Sequence, residues 1–267
     1  MTTAIRDAVS ADLRKTLRAL KLGQMLDTLP DRLTLARQQK MAHADFLELV
    51  LADEVTRRDA KSATLRARAA GLDPSMRLDT WDETAAIRYD RQLWNELVSL
   101  RFLDGPHGAF ILGPVGVGKT HLACALGHIA IRRRRTVHMA SAAKLFKRLK
   151  AARLDNSLDQ EMRRLAGIEL LILDDFALTT LDPVETADFY QLCVERHRRA
   201  ATIVTSNRTA EEWLAMMSDP LLAQSAVDRL ASTAHELIIE GQSYRRRQKP
   251  TISASVDPEK GNHHDHS

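Results

Sequence analysis

Gly113-Pro114-Val115-Gly116-Val117-Gly118-Lys119-Thr120 decides the fold. The stretch satisfies G-x-x-x-x-G-K-[ST] at every defined position, with the apolar run Ala109-Phe110-Ile111-Leu112 leading in and a helical pattern starting near Lys119 leading out. Glycines let backbone N–H groups turn inward around phosphate oxygens, and the helix N-terminus adds partial positive charge. Gly113 to His121 is therefore the candidate cradle for ATP. Lys119 is expected to reach the β- and γ-phosphates, and the Thr120 hydroxyl to ligate Mg²⁺.

Downstream, short apolar runs alternate with helical stretches. Thr136 to Met139, Leu170 to Leu173, Ala201 to Thr205 and Glu236 to Ile239 read as further strands. Strands separated by helices predict a parallel sheet with crossover helices, an α/β domain. Leu170-Leu171-Ile172-Leu173-Asp174-Asp175 delivers carboxylates to the C-terminal end of a buried strand, where open α/β sheets hold ligands. Asp174 is the candidate Mg²⁺ partner. Asp175 sits where a carboxylate would polarise the attacking water; a capping role is the other reading. Asn207, after the strand Ala201 to Thr205, is placed to sense a γ-phosphate, or is simply a turn residue.

Upstream of Pro106 the chain reads as helical throughout. Leu13, Leu17 and Leu20 fall on one helix face, and Leu29-Pro30-Asp31 reads as a break before a second helix, Leu33 to Met41. A third runs from Phe46 to Ala70, stopped by Gly71-Leu72-Asp73-Pro74, and a fourth spans Thr84 to Phe102. The domains expected are a helical N-terminal part (1–77), the nucleotide-binding core (78–248) and a disordered tail (249–267). The three histidines of the tail read as solvated rather than as metal ligands. Two cysteines in 267 residues exclude a disulfide framework and a cysteine-based zinc site, and no apolar run reaches membrane-spanning length. The expected setting is a reduced cytoplasm.

The net charge of +4 hides an uneven distribution. Between His121 and Leu154 there is no acidic residue, while Arg132, Arg133, Arg134, Arg135, Lys144, Lys147, Arg148, Lys150 and Arg153 supply nine positive charges. Concentrated positive charge favours phosphate contact through counterion release, so this segment is the candidate surface for duplex DNA. Phe146 is its one aromatic residue, which argues for backbone contacts over base stacking.

Taken together, GPVGVGKTHLA (Gly113 to Ala123), LLILDDF (Leu170 to Phe176), TSN (Thr205 to Asn207), DRL (Asp228 to Leu230) and GQSYR (Gly241 to Arg245) resemble the AAA+ ATPases. They are most similar to the IstB-like transposition helpers and the related DnaC-like helicase loaders, over roughly residues 10 to 248. The resemblance implies an AAA+ core in which Asn207 is the first sensor, Arg229 an arginine finger acting on a neighbouring subunit's ATP, and Arg245 the second sensor. A salt bridge with Asp228 is the other reading of Arg229, and a basic DNA-facing end with Arg246 and Arg247 that of Arg245. The resemblance also implies a homo-oligomer on duplex DNA, a transposase partner from the same element, and an N-terminal region that aids DNA binding and assembly. A helicase loader shares every one of these motifs. A small-molecule kinase would leave Arg229 unexplained, and a nucleotide-gated DNA-binding protein with negligible turnover would suit the shorter side chain of Asp175.

Overall fold

The structure is a computed structural model that describes residues 9–82, 87–105 and 107–243. Its centre is a parallel sheet of β2 (Gly108–Leu112), β3 (Val137–Ser141), β4 (Leu170–Asp174), β5 (Ala201–Ser206) and β6 (Ala234–Ile238), in the order β3-β4-β5-β2-β6. Strands buried on both faces need apolar side chains at every position, which is why β2 and β4 read as unbroken apolar runs. Ala109 and Ile111 join the core on one face, and Phe110 and Leu112 that on the other.

The first face is covered by α5 (Lys119–Arg132), α4 (Arg91–Ser99) and the C-terminal end of α3 (His43–Ala69). The second carries α6 (Ala142–Leu154), α7 (Leu158–Ala166), α8 (Pro183–Arg196), α9 (Ala210–Leu214) and α10 (Pro220–Ala231). A separate two-stranded antiparallel pair, β1 (Ile87–Arg88) with β7 (Glu240–Gly241), packs Ile87 against the core of the first face. Among the described residues no helix is long and apolar enough to cross a membrane.

The buried Arg196 acts as a staple beneath the second face. It donates to the carbonyls of Leu165 (2.6 Å), Ile168 (2.8 Å) and Ala201 and to the Thr202 hydroxyl (3.0 Å). Those bonds tie the end of α7 and the entry to β4 to the start of β5. Burial lowers its pKa to about 10, which leaves it charged at neutral pH.

The N-terminal helices depart from the sequence pattern in three places. Pro30 opens α2 (Leu29–Gln38) instead of breaking the chain, because the first helical turn needs no N–H donor. On α1 (Ala11–Ala19) only Leu17 is buried; Leu13 and, just past its end, Leu20 are exposed. Of the expected helix from Thr84 to Phe102, residues 84–86 lie outside the described residues, and the remainder is a short strand, β1, followed by α4. The Asp90 carboxylate accepts from Gln92 N and Leu93 N to start α4, and Leu100, at φ 57°, ends it.

Packing also crosses the expected boundary at residue 77. Val9, Leu17, Met25, Leu29 and Val50 form a small cluster of their own, but Ala67, Ala70 and Leu72 belong to the main core. The Met139 N–H donates to Ala70 O at 2.7 Å, joining the end of α3 to β3. One 27-residue helix therefore begins in the N-terminal cluster and ends in the α/β core.

Candidate functional site

The glycine loop leaves β2 at Leu112 and enters α5 at Lys119. Gly116 (φ 84°) and Gly118 (φ 98°) take left-handed backbone that a side chain would strain. Gly118 has a second constraint, since a Cβ there would lie 2.6 Å from the ring of Trp81. The loop forms one wall of a cavity of about 400 Å³, within the range of nucleotide-sized ligand sites. Val115 to His121, Asp175 and Asn207 line it, opposite Met76, Thr80, Trp81 and Ile87.

Lys119 is buried at the mouth of α5, and its Nζ donates to Gly113 O (2.8 Å), Pro114 O (2.7 Å) and Asn207 Oδ1 (2.5 Å). Parallel pairing accounts for this meeting of residues 88 positions apart, because β5 lies between β2 and β4 and brings Asn207 beside the loop. Asp174 ends β4 as a buried carboxylate whose Oδ1 accepts from Thr120 Oγ1 (3.0 Å) and Thr205 Oγ1 (2.6 Å). Burial raises its pKa above the ordinary aspartate value, opposed mainly by the Thr205 hydrogen bond. Asp175 is exposed to the cavity on left-handed backbone (φ 53°). Its N–H donates to Thr205 Oγ1 at 3.0 Å, so one buried hydroxyl sets both acidic residues.

Thr205 and Trp81, with Met76, Thr80 and Ile87, belong to the site without standing out in the sequence. Thr205 left a faint signal, a polar residue near the end of an apolar strand and shortly before Asn207. Trp81 left none: it reaches the loop only because the segment 73–82 folds back along α5. His121 Nε2 donates to Arg77 O at 2.8 Å, His128 Nε2 donates to Asp73 O at 2.8 Å, and Trp81 meets His121 edge-on at 5.1 Å. Cys124 lies beneath this segment, and burial pushes its thiol up to about 11, so it is no nucleophile at neutral pH.

Arg229 stands outside this cavity. Its guanidinium donates to Ser225 O (2.8 Å) and to the Ser225 hydroxyl, and lies 5.7 Å over the Tyr190 ring. It is in the last turn of α10, just ahead of β6, whose first residue pairs with the first residue of β2. The glycine loop follows the last residue of β2, so a five-residue strand, about 17 Å, separates the two levels. Arg245 lies outside the described residues, as does the tail with its histidines.

The acid-free segment does not form one basic face beside the nucleotide cavity. Arg132 ends α5, about 20 Å of helix from Lys119, and Arg133 to Arg135 follow it. Acids from elsewhere in the chain answer most of the charge. Arg134 pairs with Asp59 (3.0 Å), Arg135 with Asp104 (2.7 Å) and Glu169 (2.9 Å), and Arg148 with Glu161 (2.8 Å). Lys150 pairs with Asp182 (2.6 Å) and Glu185 (2.7 Å), Arg153 with Asp188, and Arg133 donates to Ser99 O. The linear count missed these acids because they are distant in sequence. Arg132, Lys144 and Lys147 are exposed and make no ion pair among the described residues.

Comparison with known proteins agrees with this geometry. The profile of the IstB-like ATP binding proteins matches residues 15–252. An insertion-sequence ATP-binding protein of Mycobacterium tuberculosis is 36% identical over 244 residues, covering 91% of this chain and 97% of that one. The ATP-binding protein of insertion sequence IS21 from Pseudomonas aeruginosa is 31% identical, covering 89% and 90%. Among solved structures, the DnaC helicase loader superposes with a TM-score of 0.52 at 18% identity, covering 62% of this chain and 98% of that one. The replication initiator DnaA bound to AMPPCP and single-stranded DNA gives 0.51 at 23% identity, covering 64% and 51%. At such identities these two likenesses speak for the fold alone.

Proposed function

The chain belongs to the IstB-like ATP-binding proteins, AAA+ ATPases, and on that premise we propose that it assembles on duplex DNA and assists the transposase of an insertion sequence. The observation that carries the assembly is the separation of Arg229 from its own cavity by the height of the sheet. An arginine so placed acts on the nucleotide of a neighbour in a head-to-tail oligomer, which makes hydrolysis depend on assembly. Exposed Leu47, Leu51 and Val55, spaced four apart on α3, offer an apolar stripe suited to self-association.

Within one subunit the hydrogen bonds support the following roles. Lys119 exchanges its bonds to Gly113 O, Pro114 O and Asn207 for phosphate oxygens. Asn207, released from Lys119, orients the γ-phosphate, and Asp175 accepts the proton of the attacking water. Thr120 Oγ1 and Asp174 Oδ1 are hard oxygen donors that fit Mg²⁺, an ion that accepts few protein ligands and keeps the rest of its shell for phosphate and water. Bound there, it would neutralise charge between the β- and γ-phosphates.

The transposase rests on the relatives, which are proteins of insertion sequences at identities above 30%, whereas the helicase loader is alike in fold only. The test of assembly is complementation. Lys119→Ala lacks a working site and Arg229→Ala lacks the finger, so each alone is inactive. Mixed in equal amounts, they regain activity at about a quarter of their junctions if these are heterologous. A mixture as inactive as its components contradicts the reading.

A further inference from the structure

A second cavity, a groove of about 740 Å³, lies on the first face between α3 and the far half of α5. Arg66 and Arg68 come from α3, Arg77 from the segment that follows it, and Arg132 and Arg134 from the end of α5. Asp59 is the single acid in its lining, so the groove carries a net charge of four from its arginines and this aspartate. These arginines come from distant parts of the chain, so no run of sequence shows the groove.

The charge is available to a ligand. Arg68 and Arg132 are exposed and have no ion pair or side-chain hydrogen bond among the described residues. The Arg134–Asp59 pair is a solvent-exposed contact of the kind worth little, so a phosphate replaces the carboxylate at small cost. In the walls, Arg66 already donates to Ser62 Oγ (2.8 Å) and Ile131 O (3.1 Å), and its Nε and that of Arg77 are buried, so these two arginines add positive charge to the groove while Arg68, Arg132 and Arg134 make the contacts. The exposed guanidinium forks of Arg68, Arg132 and Arg134 match phosphate oxygens in shape and charge. The lining offers no Phe, Tyr or Trp on which a base could stack, and His128 is already committed to Asp73 O. That favours the backbone of a duplex over a single strand.

The groove also shares two walls with the nucleotide cavity. Helix α5 has Lys119 and Thr120 in one and His128, Ile131 and Arg132 in the other. The segment 73–82 puts Pro74 and Arg77 in the groove and Met76, Thr80 and Trp81 against the glycine loop, and His121 and His128 clamp it to α5. We infer that the arginine groove between α3 and α5 binds the phosphate backbone of duplex DNA, and that the segment 73–82 links its occupancy to the nucleotide cavity. The inference rests on the proposed DNA-dependent function and assigns to it a surface and a route of coupling.

The test uses the full chain and a fluorescently labelled duplex of random sequence, with anisotropy followed across a salt series. The variant Arg68→Ala/Arg132→Ala removes two exposed side chains that hold no ion pair, and Lys144→Ala/Lys147→Ala on α6 is the comparison. The groove variant is expected to bind weakly and to flatten the slope of log K against log salt by about two, one for each phosphate it no longer neutralises. The α6 variant is expected to stay near wild type. Saturating duplex is expected to tighten binding of a fluorescent ATP analogue in wild type and not in the groove variant, with equal affinities when DNA is absent. If wild type binds duplex and the groove variant binds it equally well, or the loss falls on the α6 variant, the groove inference is overturned and the DNA-dependent function stands. If poly-glutamate displaces the duplex as efficiently as unlabelled duplex does, the groove takes acidic protein and the assignment to DNA is overturned. If duplex leaves nucleotide affinity in wild type unchanged, the link through 73–82 is overturned. If wild type binds no duplex at low salt, the DNA-dependent function falls and the inference falls with it.

Discussion

Replacing Thr205 by valine removes one hydroxyl and keeps the shape and strand preference of the side chain. That hydroxyl donates to Asp174 Oδ1 at 2.6 Å and accepts from Asp175 N at 3.0 Å, in a fully buried position. Losing a buried hydrogen bond to a carboxylate and the part-buried bond from Asp175 N cost about 3 kcal/mol together. For a chain of this size that lowers the melting temperature by about 6–12 °C. The consequence for catalysis is separate. The Thr205 bond is the main influence holding down the pKa of Asp174 against burial, so its loss raises that pKa further. An aspartate must be ionised to receive Mg²⁺. The acid limb of the ATPase pH profile is therefore expected to move to higher pH, and the Mg²⁺ concentration for half-maximal rate to rise. Thr205→Ser keeps the hydroxyl and should restore both. Thermal melts followed by circular dichroism, with ATPase rates titrated in Mg²⁺ and pH, measure all three. A valine variant that is destabilised but keeps the wild-type pH limb and Mg²⁺ dependence would refute the positioning role, as would a serine variant that fails equally.

Trp81→Ala removes the ring that packs on Gly118, and an aromatic contact worth about 1 kcal/mol predicts roughly fivefold weaker binding of a labelled ATP analogue. Arg196→Leu leaves the carbonyls of Leu165, Ile168 and Ala201 and the Thr202 hydroxyl without their donor, and urea unfolding should show a loss of more than about 3 kcal/mol. Glu54 is buried beneath Arg57 and Arg58, chiefly Arg57, which hold its carboxyl at about 2. The stability it contributes is present above the usual glutamate range and is lost as pH falls through about 2. Glu54→Gln should thus lower the urea midpoint at pH 7 and by a smaller margin at pH 3.

Local signals reached the sheet and half of the site. The strands β2, β4 and β5 are largely apolar runs that end at or just before Gly113, Asp174 and Asn207, and the glycine loop with Lys119 and Thr120, the Asp174-Asp175 pair and Asn207 are read from those ends. Sequence order also placed Asn207 after the acidic strand, and parallel pairing then set it against Lys119. What stayed hidden depends on contacts between distant segments. Trp81 closes the cavity because two histidines of α5 hold the segment before it, and neither spacing nor periodicity encodes that. The same holds for charge: nine basic residues in a row of 34 positions suggested a single surface, while Asp59, Asp104, Glu161, Glu169 and Asp182 neutralise much of it in three dimensions. Leu13 and Leu20 misled for the opposite reason, since a periodic apolar face on α1 need not be buried within one subunit.

The most direct measurement is the steady-state ATPase rate of the full chain at low salt, with and without duplex DNA, for wild type, Lys119→Ala and Arg229→Ala. A DNA-dependent ATPase completed across subunits predicts a wild-type rate that rises severalfold with duplex, and no turnover in either variant. A wild-type rate indifferent to duplex, together with full activity in Arg229→Ala, would contradict it.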